Sequence, residues 1–140
     1  MNIEKKGGFT LLEVIIVIII VGVMASLALP RLFSTIEYSR STEAFASIAS
    51  VRSSMERCYL RRNNTYAACN VFANLDLQDP GTSPGSNFTY TWPVVPTAST
   101  YTLRATRTAA NGGDNASQIN VQNNGATITR SGTTVFAGVN

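Results

Sequence analysis

The sequence predicts an α+β protein: one long N-terminal α-helix, apolar enough in its first half to cross a membrane, whose second half packs on a small antiparallel β-sheet of about four strands. Three observations carry this prediction. From Phe9 to Leu29 the chain is apolar apart from a single charge, Glu13. Residues 31–62 contain neither proline nor glycine and repeat apolar side chains at helical spacing. Beyond residue 87 come short alternating runs, separated by asparagine- and glycine-rich turns.

At about 1.5 Å per residue, a helix over 9–29 reaches roughly 30 Å, the hydrocarbon thickness of a bilayer. Lys5 and Lys6 precede it against Glu4, so the N-terminal tail is expected on the cytoplasmic side and everything past Pro30 across the membrane. A cleavable signal peptide is the alternative, with Ala25-Ser26-Leu27-Ala28 as a weak processing site. Against it, the apolar run exceeds the usual roughly 7–15 residues, and the Gly7-Gly8 pair precedes the run rather than following it. A carboxylate inside the run also costs about 2.5–3.5 kcal/mol at its centre, less near an end, which a mere anchor has no reason to carry.

Past the span, Phe45, Ile48, Val51, Met55 and Tyr59 recur at steps of three or four and mark one face. Serines and glutamates, Ser41, Ser54 and Glu56 among them, fill much of the remainder. Gly22 and Pro30 interrupt the helix interior. Proline removes one main-chain hydrogen bond and crowds the preceding turn, so a kink or a locally melted stretch is expected between them. Residues 63–87 lack periodicity and end in a strong loop signal, Gln78 to Asn87. Strands follow around Phe88-Tyr90-Trp92, Tyr101-Leu103-Ala105, Ile119-Val121, Ala126-Ile128 and Val135 with Ala137. The expected organisation is thus 1–8 as a leader, 9–30 as the membrane or core helix, 31–62 as its amphipathic half, 63–87 as a loop, and 88–140 as the sheet.

Composition narrows the chemistry. The 140 residues include no histidine, which removes His-dependent general bases, Ser-His and Cys-His pairs and the usual zinc sites. Two cysteines without histidine cannot complete a Cys/His four-ligand centre in one chain. No Walker A, no G-x-G-x-x-G after a strand and no calcium-loop pattern is present, although Asp76, Asp79 and Asp114 are available. The expectation is a non-enzyme without cofactor or metal.

Lys5-Lys6-Gly7-Gly8-Phe9-Thr10-Leu11-Leu12-Glu13-Val14 resembles the processing motif of type IV pilins and type II secretion pseudopilins. The resemblance is close from Lys5 to about Tyr38 and beyond that is one of architecture. It implies that a prepilin peptidase cuts between Gly8 and Phe9 and methylates the new Phe9 amine. It also implies an inner-membrane subunit that an assembly platform builds into a helical homopolymer, either an extracellular filament or a periplasmic pseudopilus. After cleavage, Glu13 of one subunit is positioned to neutralise the Phe9 amine of another in an apolar core, a device for axial register more than for net stability. Cleavage also removes Glu4, Lys5 and Lys6, leaving nine arginines against seven acids. The family resemblance strengthens the expectation at Gly22 and Pro30, since many such filaments melt there on assembly.

Cys58 and Cys69 permit one intrachain disulfide in that oxidising compartment, with buried thiols as the alternative; their spacing is wrong for a C-x-x-C redox motif. Arg104, Arg107 and Arg130, with Arg61 and Arg62, offer a basic set for nucleic acid, but a solvated face is the preferred reading. Asn63, Asn87 and Asn115 head glycosylation triplets, none of which is expected to be used. The function expected is therefore a structural, major-like subunit of a type IV pilus. The alternatives are a secretion pseudopilin and a minor pilin acting as adhesin or DNA-uptake receptor.

Overall fold

The computed structural model describes residues 8–139, which fall into two compact units, the first ending at Ile36 and the second beginning at Glu37. Residues 1–7 of the expected leader, Lys5 and Lys6 included, lie outside the described residues.

In the first unit Gly8, Phe9 and Thr10 are non-helical, and helix α1 (Leu11–Arg61) begins directly after them. Thr10 is the N-cap. Its side-chain hydroxyl accepts the Glu13 N–H at 3.2 Å and its carbonyl accepts the Val14 N–H at 3.3 Å, which satisfies donors that a helix start leaves open. All described side chains up to Ile36 are exposed. Ser26 and Ser34 donate to carbonyls three residues back, so even the polar side chains of this apolar stretch are satisfied within the helix. The helix is long and apolar enough to cross a membrane. Between Gly22 and Pro30 the chain is helical throughout, so the melted stretch is absent from this state of the subunit. Proline removes a single donor, and the turns around it hold.

The second unit packs the C-terminal half of α1 against a four-stranded antiparallel sheet of strand order β1-β2-β3-β4: β1 Phe88–Thr91, β2 Tyr101–Arg107, β3 Gln118–Asn123 and β4 Ile128–Gly132. Tyr90 lies opposite Ala105, Leu103 opposite Val121 and Ile119 opposite Gly132. Alternate residues Phe88, Tyr90, Tyr101, Leu103, Ala105, Ile119 and Val121 face the helix and are buried.

The helix face differs from the expected stripe. Ile48, Val51 and Met55 are buried as predicted, but Ala44, Cys58, Ser41 and Ser54 share that face, while Phe45 and Tyr59 sit half-buried at its margins. The small side chains let the sheet approach closely. The Ser41 hydroxyl donates to the Tyr38 carbonyl and that of Ser54 to the Asp76 carboxylate, so neither polar group is buried unpaired.

Two strand predictions also need correcting. β4 starts at Ile128, because Ala126 belongs to the turn in which Asn124 Oδ1 accepts the Ala126 and Thr127 N–H groups. Val135 and Ala137 form no strand. A 3-10 turn, Thr134–Phe136, folds the chain back and buries Phe136 rather than Val135. Trp92 lies just past β1, half-buried against Phe72 at 4.9 Å between ring centroids.

Candidate functional site

Three places on the chain carry the chemistry the sequence points to. The first is the start of α1. Gly8 has no atom within 4 Å of where a Cβ would stand, and Phe9 is exposed. The Gly8–Phe9 peptide therefore lies in open, non-helical backbone two residues upstream of the helix, where an endopeptidase can take it in extended form. Glu13 stands in the first helical turn, where a carboxylate complements the positive end of the helix dipole. Thr10-Leu11-Leu12-Glu13 has the spacing of a capping box, a signal the charge argument alone passed over.

The second place is the junction of α1 with the loop after it. Asn63 and Asn64 take φ of +55° and +57°, and the Asn64 N–H returns to the Tyr59 carbonyl at 3.0 Å, closing the helix in the left-handed manner asparagine tolerates. Cys58 and Cys69 are joined by a disulfide with Cα atoms 6.1 Å apart, both fully buried. Further along, Asp76 receives Arg57 and Ser54, and these partners hold its carboxyl well below the usual carboxylate range. Tyr66 donates to Glu56 at 2.9 Å and packs tilted against Tyr59 and edge-on to Tyr101; burial, aided by the hydrogen bond to Glu56 and its charge, pushes its hydroxyl above the ordinary tyrosine range. Severing the disulfide, as in Cys58→Ser/Cys69→Ser, is expected to lower urea stability by about 3 kcal/mol, the entropy of a loop this short. A midpoint within error of wild type would show that the side-chain ties alone hold the loop.

The third place is the set of arginines, which the fold separates. Arg107 is fully buried. It pairs with Glu37 at 2.9 Å and donates to the carbonyls of Asn87, Thr108, Ala110 and Asn111. Arg107 is therefore no part of a basic surface; it knots the β2–β3 loop and the start of β1 to the helix. Arg40 joins the knot through Glu37 and the Asn111 carbonyl. Arg104 lies on the outer side of the sheet and donates to Asn120 at 2.8 Å. Arg130, opposite Val121, lies on the helix side, with its guanidinium 5.6 Å from the Phe45 ring centroid. Arg61 and Arg62 line a separate cleft with Asn74 and Leu75. The five arginines do not form one stripe.

Asn87, first residue of one glycosylation triplet, has both its main-chain and side-chain N–H groups donated to the Glu43 carboxylate, which ties the entry to β1 to the helix. Asp79 and Asp114 each cap a turn of their own loop, accepting from Gly81 and from Ala116 and Ser117. Among the described residues no cluster of three or more Asp, Glu, Cys or His converges on a metal position.

Residues 30–119 match the family model described as type IV minor pilin ComP, DNA uptake sequence receptor, and residues 4–29 match the prokaryotic N-terminal methylation motif. A type II secretion system core protein G of Aeromonas hydrophila is 31% identical over 84 residues, covering 60% of this chain and 58% of its own. The protein of the same name from Pectobacterium carotovorum subsp. carotovorum is 40% identical over 62 residues, 44% of this chain and 39% of its own. The type IV narrow pilus major component PilA5 of Thermus thermophilus is 31% identical over 85 residues, 61% of this chain and 71% of its own. The chain spans about half the length of the first curated relatives it matches. No solved structure matches it.

Proposed function

Because the chain belongs to the type IV pilin and type II secretion pseudopilin family, we propose that it is a structural subunit that polymerises through its N-terminal helix into a type IV pilus. Prepilin peptidase cuts between Gly8 and Phe9 and methylates Phe9, and the assembly platform draws the processed subunit from the inner membrane into the growing homopolymer. The observation that carries this reading is an apolar helix exposed at every described position from Leu11 to Ile36, with one carboxylate, Glu13, one turn from the new amine. An apolar surface of that length stays in solution only if lipid or other subunits cover it. Both solvents belong to the proposed life of the protein, bilayer first and filament core second. Melting between Gly22 and Pro30 belongs, on this reading, to the second of those states.

Mass spectrometry of the mature protein is expected to find an N-methylated Phe9 terminus. A mature terminus near Leu29 would mean that the segment is a signal peptide, and the assembly reading would fall with it.

A second reading is favoured by the match of residues 30–119 to a DNA uptake sequence receptor. On it, the subunit is a minor pilin whose head binds DNA, and the arginines left without acid partners supply the contacts. The names of the core G relatives support instead a secretion pseudopilus. Immunogold labelling of sheared extracellular filaments separates pilus from pseudopilus, since only the former carries the label outside the cell.

A further inference from the structure

All six acidic side chains of the second unit are engaged within it. Glu37 takes Arg107 and Arg40, Glu43 holds Asn87, Glu56 accepts from Tyr66, and Asp76 takes Arg57. Asp79 and Asp114 cap turns. Five arginines of this unit, Arg52, Arg61, Arg62, Arg104 and Arg130, have no ion-pair partner among the described residues.

Of these five, Arg52 and Arg130 share a cavity with aromatic side chains. It holds about 480 Å³ between α1 and β4, with Tyr38 and Phe45 on its walls and Ile48 and Val121 also lining it. Arg52 lines it beside the Tyr101 hydroxyl, with its Nε buried and without a hydrogen-bond partner, and Arg130 lies over the Phe45 face. The Tyr38 ring is exposed. The cleft at Arg61 and Arg62 has no aromatic side chain, and Arg104 lies on the opposite side of the sheet, occupied by Asn120. A pair of guanidinium groups beside aromatic faces matches a phosphate next to a base: arginine forks hold phosphate oxygens, and rings stack bases. The volume lies in the range of pockets for small ligands, enough for one nucleotide and far too small for a duplex.

We propose that the groove between α1 and β4 binds single-stranded DNA by seating one unstacked nucleotide, with Arg52 and Arg130 on its phosphates and the exposed Tyr38 ring against its base. The proposal rests on the DNA-receptor reading above and adds to it a place and a strandedness. A base seated alone must first leave its stack and its pair, which a single strand permits and a duplex opposes.

The test is fluorescence anisotropy with full-length processed protein in detergent, using a labelled twelve-nucleotide single strand and the same sequence as a duplex. The single strand is expected to bind in a salt-dependent way and at least about tenfold tighter than the duplex. Arg52→Gln/Arg130→Gln should weaken it about tenfold or more and reduce the slope of log affinity against log salt by about 1.4, as for two lost single-strand phosphate contacts. Arg130→Gln alone, an exposed side chain whose contact is the Phe45 ring, should keep the head folded and still weaken binding several-fold. Arg104→Gln should leave it within twofold. If only the duplex binds, or if single-strand binding ignores Arg52 and Arg130, the groove assignment is wrong while the DNA-receptor reading stands. If neither nucleic acid binds, both fall. Tighter binding of polyglutamate through the same two arginines would assign the groove to an acidic protein and overturn the proposal.

Discussion

Arg107→Met is expected to lower the stability of the head by about 3 kcal/mol, because it leaves Glu37 with Arg40 alone and takes a buried donor from the carbonyls around it. The wild-type guanidinium is fully buried, holds Glu37 at 2.9 Å and donates to four main-chain carbonyls from two segments. Methionine fills much of the volume but offers no donor, so Glu37 and those carbonyls lose this donor together, and Glu37 keeps only Arg40. Replacing both members, as in Arg107→Met/Glu37→Leu, should recover part of the loss, since an apolar pair carries no desolvated charge. Equal losses in the single and double variants would mean that the carbonyls, not the ion pair, set the cost. The knot also makes stability depend on pH. The hydrogen bond from Arg107, helped by the charges of Arg107 and Arg40, holds the Glu37 carboxyl below its ordinary value of 4.5 against the opposing effect of burial. A carboxyl depressed on folding contributes stability that is present above its unfolded pKa and is lost as pH falls through the folded one. Urea midpoints of the full chain in detergent should therefore fall below about pH 4.5. Asp76 and Asp114 titrate in the same direction, so Arg107→Met should remove only the part of the fall that Arg107 gives to Glu37, with Arg40 keeping the rest.

Arg107 also marks the limit of what the sequence discloses. As an arginine in a basic set it reads as surface, since arginine is rarely fully buried. Yet Tyr101, Leu103 and Ala105 place every second residue inward, and Arg107 is the next in that period. That alternation was a legible signal. Its partner was not, because Glu37 lies 70 residues away and only the folded sheet brings the two together. The apolar run from Phe9 to Leu29 was legible in full, since lipid demands a uniform solvent-facing surface and the pattern needs no tertiary partner. The buried face of the second half was legible only to within one residue. Periodicity finds large apolar side chains, whereas the line of closest approach runs over Ala44, Ser41 and Ser54, whose burial depends on how near the sheet comes. Phe136 in place of Val135 has a similar origin: a 3-10 turn breaks the alternation on which a strand prediction rests. At the N-terminus both the charge of Glu13 and the Thr10 cap three residues before it are legible, because each is local to one helical turn.

That pairing of roles bears on the variant with the largest consequence for assembly, Glu13→Val. If Glu13 neutralises the Phe9 amine of a neighbouring subunit, the substitution leaves membrane insertion intact or improves it, because a carboxylate in an apolar span opposes insertion. The loss falls on polymerisation, where an unpaired amine in the apolar core carries a penalty of about 3–5 kcal/mol at each addition. Even the low end lowers the association constant by more than about a hundredfold. Filaments should be absent or sparse while cleaved monomer accumulates in the inner membrane at normal levels. A purely local role gives a different pattern. The bond that the structure places at the helix start runs from the Glu13 main-chain N–H to the Thr10 hydroxyl, and valine retains that donor. Thr10→Ala removes the acceptor instead, at a cost of about 0.5–2 kcal/mol to the helix start, and leaves the carboxylate in place. If capping is what matters, Thr10→Ala should block filaments as thoroughly as Glu13→Val; if pairing matters, Thr10→Ala should still assemble. Glu13→Gln, polar but uncharged, should fail nearly as badly as valine, since an amide cannot cancel the amine charge. Processing is the control, because the peptidase meets the same residues, so only cleaved subunits are compared, by fractionation and electron microscopy. Cleaved Glu13→Val subunits that build filaments of normal number and length would leave Glu13 to the peptidase and remove it from assembly.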